Sequence, residues 1–151
     1  MTASVHLQIL QAMQTAVDAL PIIEACYLDR PETVGDNEPK PLVIINSGDV
    51  EGSNEVSHTS QDDTVTIEVN IYVALPITQT GFTTGISQAV DDPMIAVHSA
   101  IYTAVRTVPG FYNITQTARR PIADSGNGML QMIYNVDYSA RQDDFSVPSP
   151  P

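Results

Sequence analysis

Positive charge is scarce in this chain: six Lys and Arg stand against 18 Asp and Glu, for a formal net charge of -12. That is the wrong sign for wrapping a phosphate backbone, so tight nucleic-acid binding is not expected. Cysteine occurs once, at Cys26, which excludes an intrachain disulfide and a Cys-rich zinc site and leaves folding to an apolar core. Set between Ala25 and Tyr27, it reads as a small buried hydrophobe and not as a nucleophile. No apolar run approaches the ~20 residues that span a bilayer, so no membrane partner is expected. The opening MTASVHLQIL lacks the basic start and unbroken apolar core of a secretory signal, and use in the cytoplasm is the expectation. No P-loop, dinucleotide fingerprint, nucleophile–base arrangement or His/Cys metal spacing occurs. Three scattered histidines and one cysteine leave few parts for a catalyst, so no enzyme activity, cofactor or metal is expected.

What the chain does have is Thr64 to Leu75, TVTIEVNIYVAL. Val65, Ile67, Val69, Ile71, Val73 and Leu75 are apolar, and Thr64, Thr66, Glu68 and Asn70 between them are polar. A period of two with this many β-branched residues predicts a long strand with one face on a core. A slip of one residue would turn all six apolar side chains to water, so this register sets the sheet around it.

Before it, Val5 to Leu20 carries Val5, Ile9, Ala12, Met13, Ala16, Val17 and Leu20 at helical spacing, with Thr2 or Ser4 as cap and Pro21 as stop. Ile22 to Asp29 reads as a first strand. Glu32 to Pro41 reads as a polar loop, and Leu42 to Ile45 as a short strand apolar enough to be covered on both faces, by a helix on one side and a neighbouring subunit on the other. Gly48 to Asp63 is acidic and polar, and its spacing fails the EF-hand pattern, so it is expected as a solvated loop and a partner contact. Pro76 to Asp92 is a second irregular segment, in which Phe82 either meets a partner surface or tucks back onto its own domain. Asp91-Asp92-Pro93 marks a helix start, with an acid at the cap and proline first in the helix. Met94, Val97, Ile101, Ala104, Val105 and Val108 then repeat at helical spacing up to Pro109-Gly110. Phe111 to Arg119 and Met129 to Ala140 read as a hairpin around Ser125-Gly126-Asn127-Gly128. His6 and His98 flank apolar stripes and read as boundary residues and not as ligands. Arg119-Arg120, the one adjacent pair of cations, is expected to make a specific ion pair within or between subunits.

These elements predict an α+β fold of order α-β-β-β-α-β-β: a mostly antiparallel sheet of about five strands with two helices packed on one face. Residues 1–141 form the single domain, and 142–151 a mobile, Pro-rich tail.

That order, with four stretches, resembles the tail terminator (tail completion) proteins of long-tailed bacteriophages. The stretches are the opening helix with IIEACYLD, PLVIINSGD from Pro41 to Asp49, TVTIEVNIYVAL, and the closing RRPIADSGNGMLQMIYNVDYSA. Within the last, Tyr134, Val136 and Tyr138 match the family's Tyr-x-Val-x-Tyr ending. The likeness covers roughly residues 5 to 140, and Pro76 to Asp92 is longer than in the family. The resemblance implies a subunit of a hexameric ring on the head-proximal end of the tail tube. Such a ring stops tube polymerisation and joins the tail to the head connector, with DNA passing through its bore. It implies as partners further copies of the chain, the tail tube protein and a head-tail connector or adaptor, with assembly in the host cytoplasm and a final place in the virion neck. The acidic charge suits a bore along which DNA slides, and equally suits simple solubility. The expected assembly interface comprises Asp49, Glu51, Glu55, His58, Asp62 and Asp63 in the first loop. Ile77, Phe82 and Ile86 join it from the second, together with Arg119 and Arg120. Two alternatives stand beside this reading: another neck or head-tail adaptor component, and a small α+β ligand-binding or enzymatic domain, which a deep pocket with converging polar groups would mark.

Overall fold

The alternation around Val69 becomes the middle of a sheet. The computed structural model describes residues 3–35, 37–52, 60–74, 77–78, 81–82, 86–124 and 127–149; the side-chain surroundings of 75–86 and 123–127 lie outside that description. In chain order the elements are α1 (Val5–Asp18), β1 (Ala25–Leu28), β2 (Leu42–Gly52), β3 (Ser60–Ala74), β4 (Ile77–Thr78) and β5 (Gly81–Phe82). There follow α2 (Ile86–Ala89), α3 (Asp91–Val105), β6 (Phe111–Asp124), β7 (Asn127–Arg141) and β8 (Asp144–Pro148). Six strands make one sheet in the order β1-β2-β3-β7-β6, with β8 on β7 past the end of β6. All pairings in it are antiparallel except β1 with β2. The expected α+β architecture holds, and the parallel pair explains the polar loop of residues 32–41. Parallel neighbours need a crossover of about a dozen residues, which this loop supplies without a helix.

β3 runs against β7 from Ser60↔Arg141 to Ala74↔Asn127 with no register shift. Val65, Ile67, Val69 and Ile71 are fully buried and Val73 nearly so. Their partners Val136, Tyr134, Met132 and Leu130 continue the same face. Val5, Ile9, Met13 and Val17 of α1 and Val97, Ile101 and Val105 of α3 close over it as one core. Leu75 lies outside the described residues. In β2 the apolar run is indeed covered on both faces: Val43 and Ile45 join the helix-covered core, while Leu42 and Ile44, beside Tyr72 and Asn70, are buried on the other side. That second face is covered within the single chain, with no neighbouring subunit needed.

Four boundaries depart from expectation. The Gly48–Asp63 loop is mostly strand: β2 continues to Gly52 and β3 begins at Ser60, so only 53–59 separates them. The ladder shifts register between Ser47 and Val50 and resumes with Val50↔Val65. Gly48 permits the shift, because a Cβ there would stand 2.7 Å from the Thr66 carbonyl oxygen. The β6–β7 hairpin is also longer than expected, pairing as far as Asp124↔Asn127. Pro121 is tolerated in it because β6 is an edge strand and needs no N–H there. α3 starts at Asp91 after an N-cap at Val90 with no side-chain cap, so the two acids sit in the first turn, where they complement the helix dipole. Lastly, the tail expected outside the domain forms β8. Ala140 pairs with Pro148 and Arg141 with Asp144, Ser149 is buried, and its hydroxyl bonds that of Ser60.

The first strand is sealed by side chains. Cys26 donates its N–H to Asp18 Oδ1 (3.2 Å), and its carbonyl accepts from Gln14 Nε2 (3.1 Å). Two backbone groups that a further strand would use are thereby occupied by α1. Burial pushes the Cys26 thiol up to about 12, with the Asp18 carboxylate adding to the effect, so this cysteine stays protonated and inert, as expected.

Candidate assembly surfaces

With both long helices on one face, the other face presents polar side chains along Thr64 to Glu68, beyond the part where Leu42 and Ile44 are buried. Even-numbered positions of β3 meet odd-numbered positions of β7 across it. Thr64 Oγ1 donates to Asp137 Oδ1 (2.5 Å), Thr66 Oγ1 to Asn135 Oδ1 (3.1 Å) and Gln131 Nε2 to Glu68 Oε1 (2.5 Å). Asn113 of β6 extends the ladder by donating to Asp137 Oδ2 (3.1 Å). Such cross-strand pairs hold their rotamers and leave an ordered, hydrophilic surface. Beside it Asn46, Asp49, Glu51, Thr66 and Glu68 line an open cleft of about 330 Å³. Asp49 and Glu51 thus belong to a rigid strand next to this face, and not to a loose loop.

Asp62 and Asp63 are likewise on β3, and the pleat sends them apart. Asp62 accepts a hydrogen bond from the buried Ser139 hydroxyl. Asp63 carries the alternation of Val65 to Val73 one step further and so falls on the core side, 6% exposed, opposite Tyr138. Its Oδ1 accepts from Gln61 Nε2 at 2.8 Å, and its carboxylate also shares a hydrogen bond with the Tyr138 hydroxyl. Above them the His6 ring lies nearly parallel to Tyr138, 14° apart with centroids 6.3 Å apart, and its Nε2 is 2.9 Å from Ser47 Oγ. Burial lowers the His6 pKa, although Asp29 and Asp63 pull the other way. Burial also raises that of Tyr138, and the Asp63 carboxylate adds to the rise. These residues, with Ser4, Val50 and Phe145, enclose a cleft of about 240 Å³. Its existence was not read from the sequence. The usable signal was parity, since Asp63 has the same odd spacing as the apolar positions that follow it.

Of the remaining expected interface residues, Glu55 and His58 lie outside the described residues. Ile77 pairs with Phe82 in the small β4–β5 ladder, and Ile86 opens α2; their side-chain surroundings are outside the description. Arg119 and Arg120 are exposed on β6. The expected ion pair within the chain is not made: among the described residues neither pairs with a carboxylate, and Arg119 Nη1 instead sits 3.4 Å from Met94 Sδ. The reason is position, since Met132 and Gln131 are their ladder partners and neither carries charge. One further surface, an open apolar groove of about 540 Å³, runs along the outside of α1 and α3 between Leu20, Ile95, Ala100 and Thr103. Ile95 there is 58% exposed. Among the described residues no group of three or more His, Cys, Asp or Glu is placed to hold a metal ion.

No family model and no curated protein matches the chain. Among solved structures, a chain of the virion of a native gene transfer agent particle superposes with a TM-score of 0.42 at 8% identity. The superposition covers 91% of this chain and 96% of that one. A likeness at that level transfers no role.

Proposed function

We propose that the chain is a tail terminator subunit. It forms a ring, hexameric by the resemblance, on the head-proximal end of a phage-like tail tube, halts tube growth and offers a surface to the head connector while DNA passes through the bore. The observation that carries this reading is the element order of one helix, three strands, a second long helix and a long hairpin, which is the order of the family the sequence resembles. A helix-free sheet face built as a hydrogen-bonded polar ladder, in a chain of net charge -12, is in keeping with a particle part that touches DNA without holding it. A ligand-binding domain has less support, since the clefts of about 330 and 540 Å³ are open to solvent and the one over Asp63, of about 240 Å³, falls below the ~300–1,000 Å³ of small-molecule pockets.

The test is particle imaging of the purified chain, alone and with tail tubes. Closed rings seated on one end of tubes of uniform length are expected, and open-ended tubes that keep growing in its presence would remove the reading. Because β2 and β3 claim most of the first polar segment, the loop variant is confined to 53–59. Replacing it with a short Gly/Ser linker, or changing Phe82→Ala, is expected to leave the unfolding midpoint unchanged and lower the fraction of capped tubes. Wild-type capping in either variant would free that segment of any assembly role.

A further inference from the structure

We infer that the cleft over Asp63 receives Arg119 from a second copy of this chain, making the head-to-tail contact of the ring; the inference rests on the ring-forming reading above. The cleft has the chemistry of a guanidinium site. At its floor is a carboxylate only 6% exposed, which accepts from Gln61 and Tyr138 but has no cation partner among the described residues. Its walls are the Tyr138 ring, Phe145 (53% exposed) and Val50 (43% exposed). A buried carboxylate flanked by aromatic faces suits a planar, weakly hydrated guanidinium better than an ammonium.

The chain can supply that guanidinium. Of its six cations, Arg30 pairs with Glu38 and Glu32, and Arg141 with Asp143. Lys40 Nζ bonds the carbonyls of Gly35 and Glu38. Arg106 caps the C-terminus of α3, where positive charge complements the helix dipole. Arg119 and Arg120 are, like Arg106, exposed and without a carboxylate among the described residues, and unlike it they lie at no helix end. Arg119, opposite Met132, lies on the helix-bearing side of the sheet, as the cleft does.

The two halves cannot meet within one molecule. Along β7, Tyr138 is six positions from Met132, roughly 20 Å at strand rise, beyond the reach of one side chain. Complementary sites at separated places on one subunit make a heterologous contact, and repetition of such a contact closes a ring when the rotation allows. Strand addition along β1 or β6 is disfavoured. β1 is sealed by Gln14 and Asp18, and β6 carries two register shifts and Pro121 along its length. A side-chain clasp needs neither of these edges.

The test is sedimentation velocity or mass photometry of the full chain across a concentration series. Asp63→Asn and Arg119→Gln are each expected to weaken association by about 10- to 100-fold. The doubly changed chain should be no weaker than the worse single, as two halves of one contact require. Phe145→Ala, an exposed wall, should weaken association with an unchanged thermal midpoint, which guards against misreading a folding defect in the Asp63 variant. Arg106→Gln should assemble as wild type. Single variants that assemble normally, or effects that multiply in the double variant, would overturn the clasp while leaving the ring reading intact. Loss of association with Asp63→Asn but not with Arg119→Gln would overturn the assigned occupant. A wild-type chain that stays monomeric at every concentration would overturn both.

Discussion

His98 shows how a single side chain ties a surface helix to the core. Its Nδ1 is 2.7 Å from the hydroxyl of the fully buried Tyr134, to which Gln116 Nε2 also donates at 3.3 Å, and the Tyr102 ring packs 4.5 Å away. Burial pushes the Tyr134 phenol up to about 12, so it remains a donor, and a neutral imidazole can accept from it. Burial, and then the charge of Arg119, lowers the His98 pKa below its ordinary 6.5, and burial does the same for His6. A histidine depressed in the fold is held neutral there, while the unfolded chain takes up the proton more readily. The resulting stability is complete above the ordinary value and is lost as pH falls through the folded values. Urea midpoints are therefore expected to be level from about pH 8 to 7 and to drop between about pH 6.5 and 5. His98→Gln should flatten part of that drop; an identical profile in the variant would show that His98 does not titrate with folding.

At the scale of elements, the turn from α3 into β6 holds three parts together. Gly110 has φ +96°, and a Cβ on it would stand 2.7 Å from the Ser139 carbonyl oxygen, 3.1 Å from Pro148 and 3.2 Å from Val5. Its own carbonyl accepts from the Ser139 N–H at 2.8 Å. Gly110→Ala combines left-handed backbone strain with a collision against β7, β8 and α1, and should cost about 1–3 kcal/mol, read as a lowered denaturation midpoint. Thermal stability equal to wild type would mean the turn can relax. This junction also marks where reading the sequence stops. Periodicity located α1, β3, α3 and β7 because one face of each is apolar over many residues, a signal intrinsic to the element. Asp49, Glu51, Arg120 and Asp144 carry no such signal: they lie in strands because a partner strand stands beside them, and pairing propensity depends on that context. The expected interface dispersed for the same reason. Once Gly48 lets β2 continue past its bulge, the pleat sends Asp62 to one face and Asp63 to the other.

For the whole molecule, the net charge of -12 gives duplex DNA little to hold. Fluorescence titration at physiological salt should yield no saturable binding below about the 10⁻⁴ M that marks weak non-specific association. Micromolar binding would defeat the charge argument. The sheet's connectivity has a consequence of a different kind, for the order in which the chain acquires structure. β2 and β3 are near neighbours in sequence and can meet early, yet the centre of the sheet is β3 with β7, joined from Ser60↔Arg141 to Ala74↔Asn127. Closing loops of that length is slow, and half of the partners for Val65 to Val73 leave the ribosome only with β7, well after β3. During synthesis this strand waits, one side unpaired, until β7 has emerged. Production of this protein should therefore be governed by how well that waiting strand is shielded, by slow growth, low temperature or an abundant holdase, more than by the stability of the finished fold.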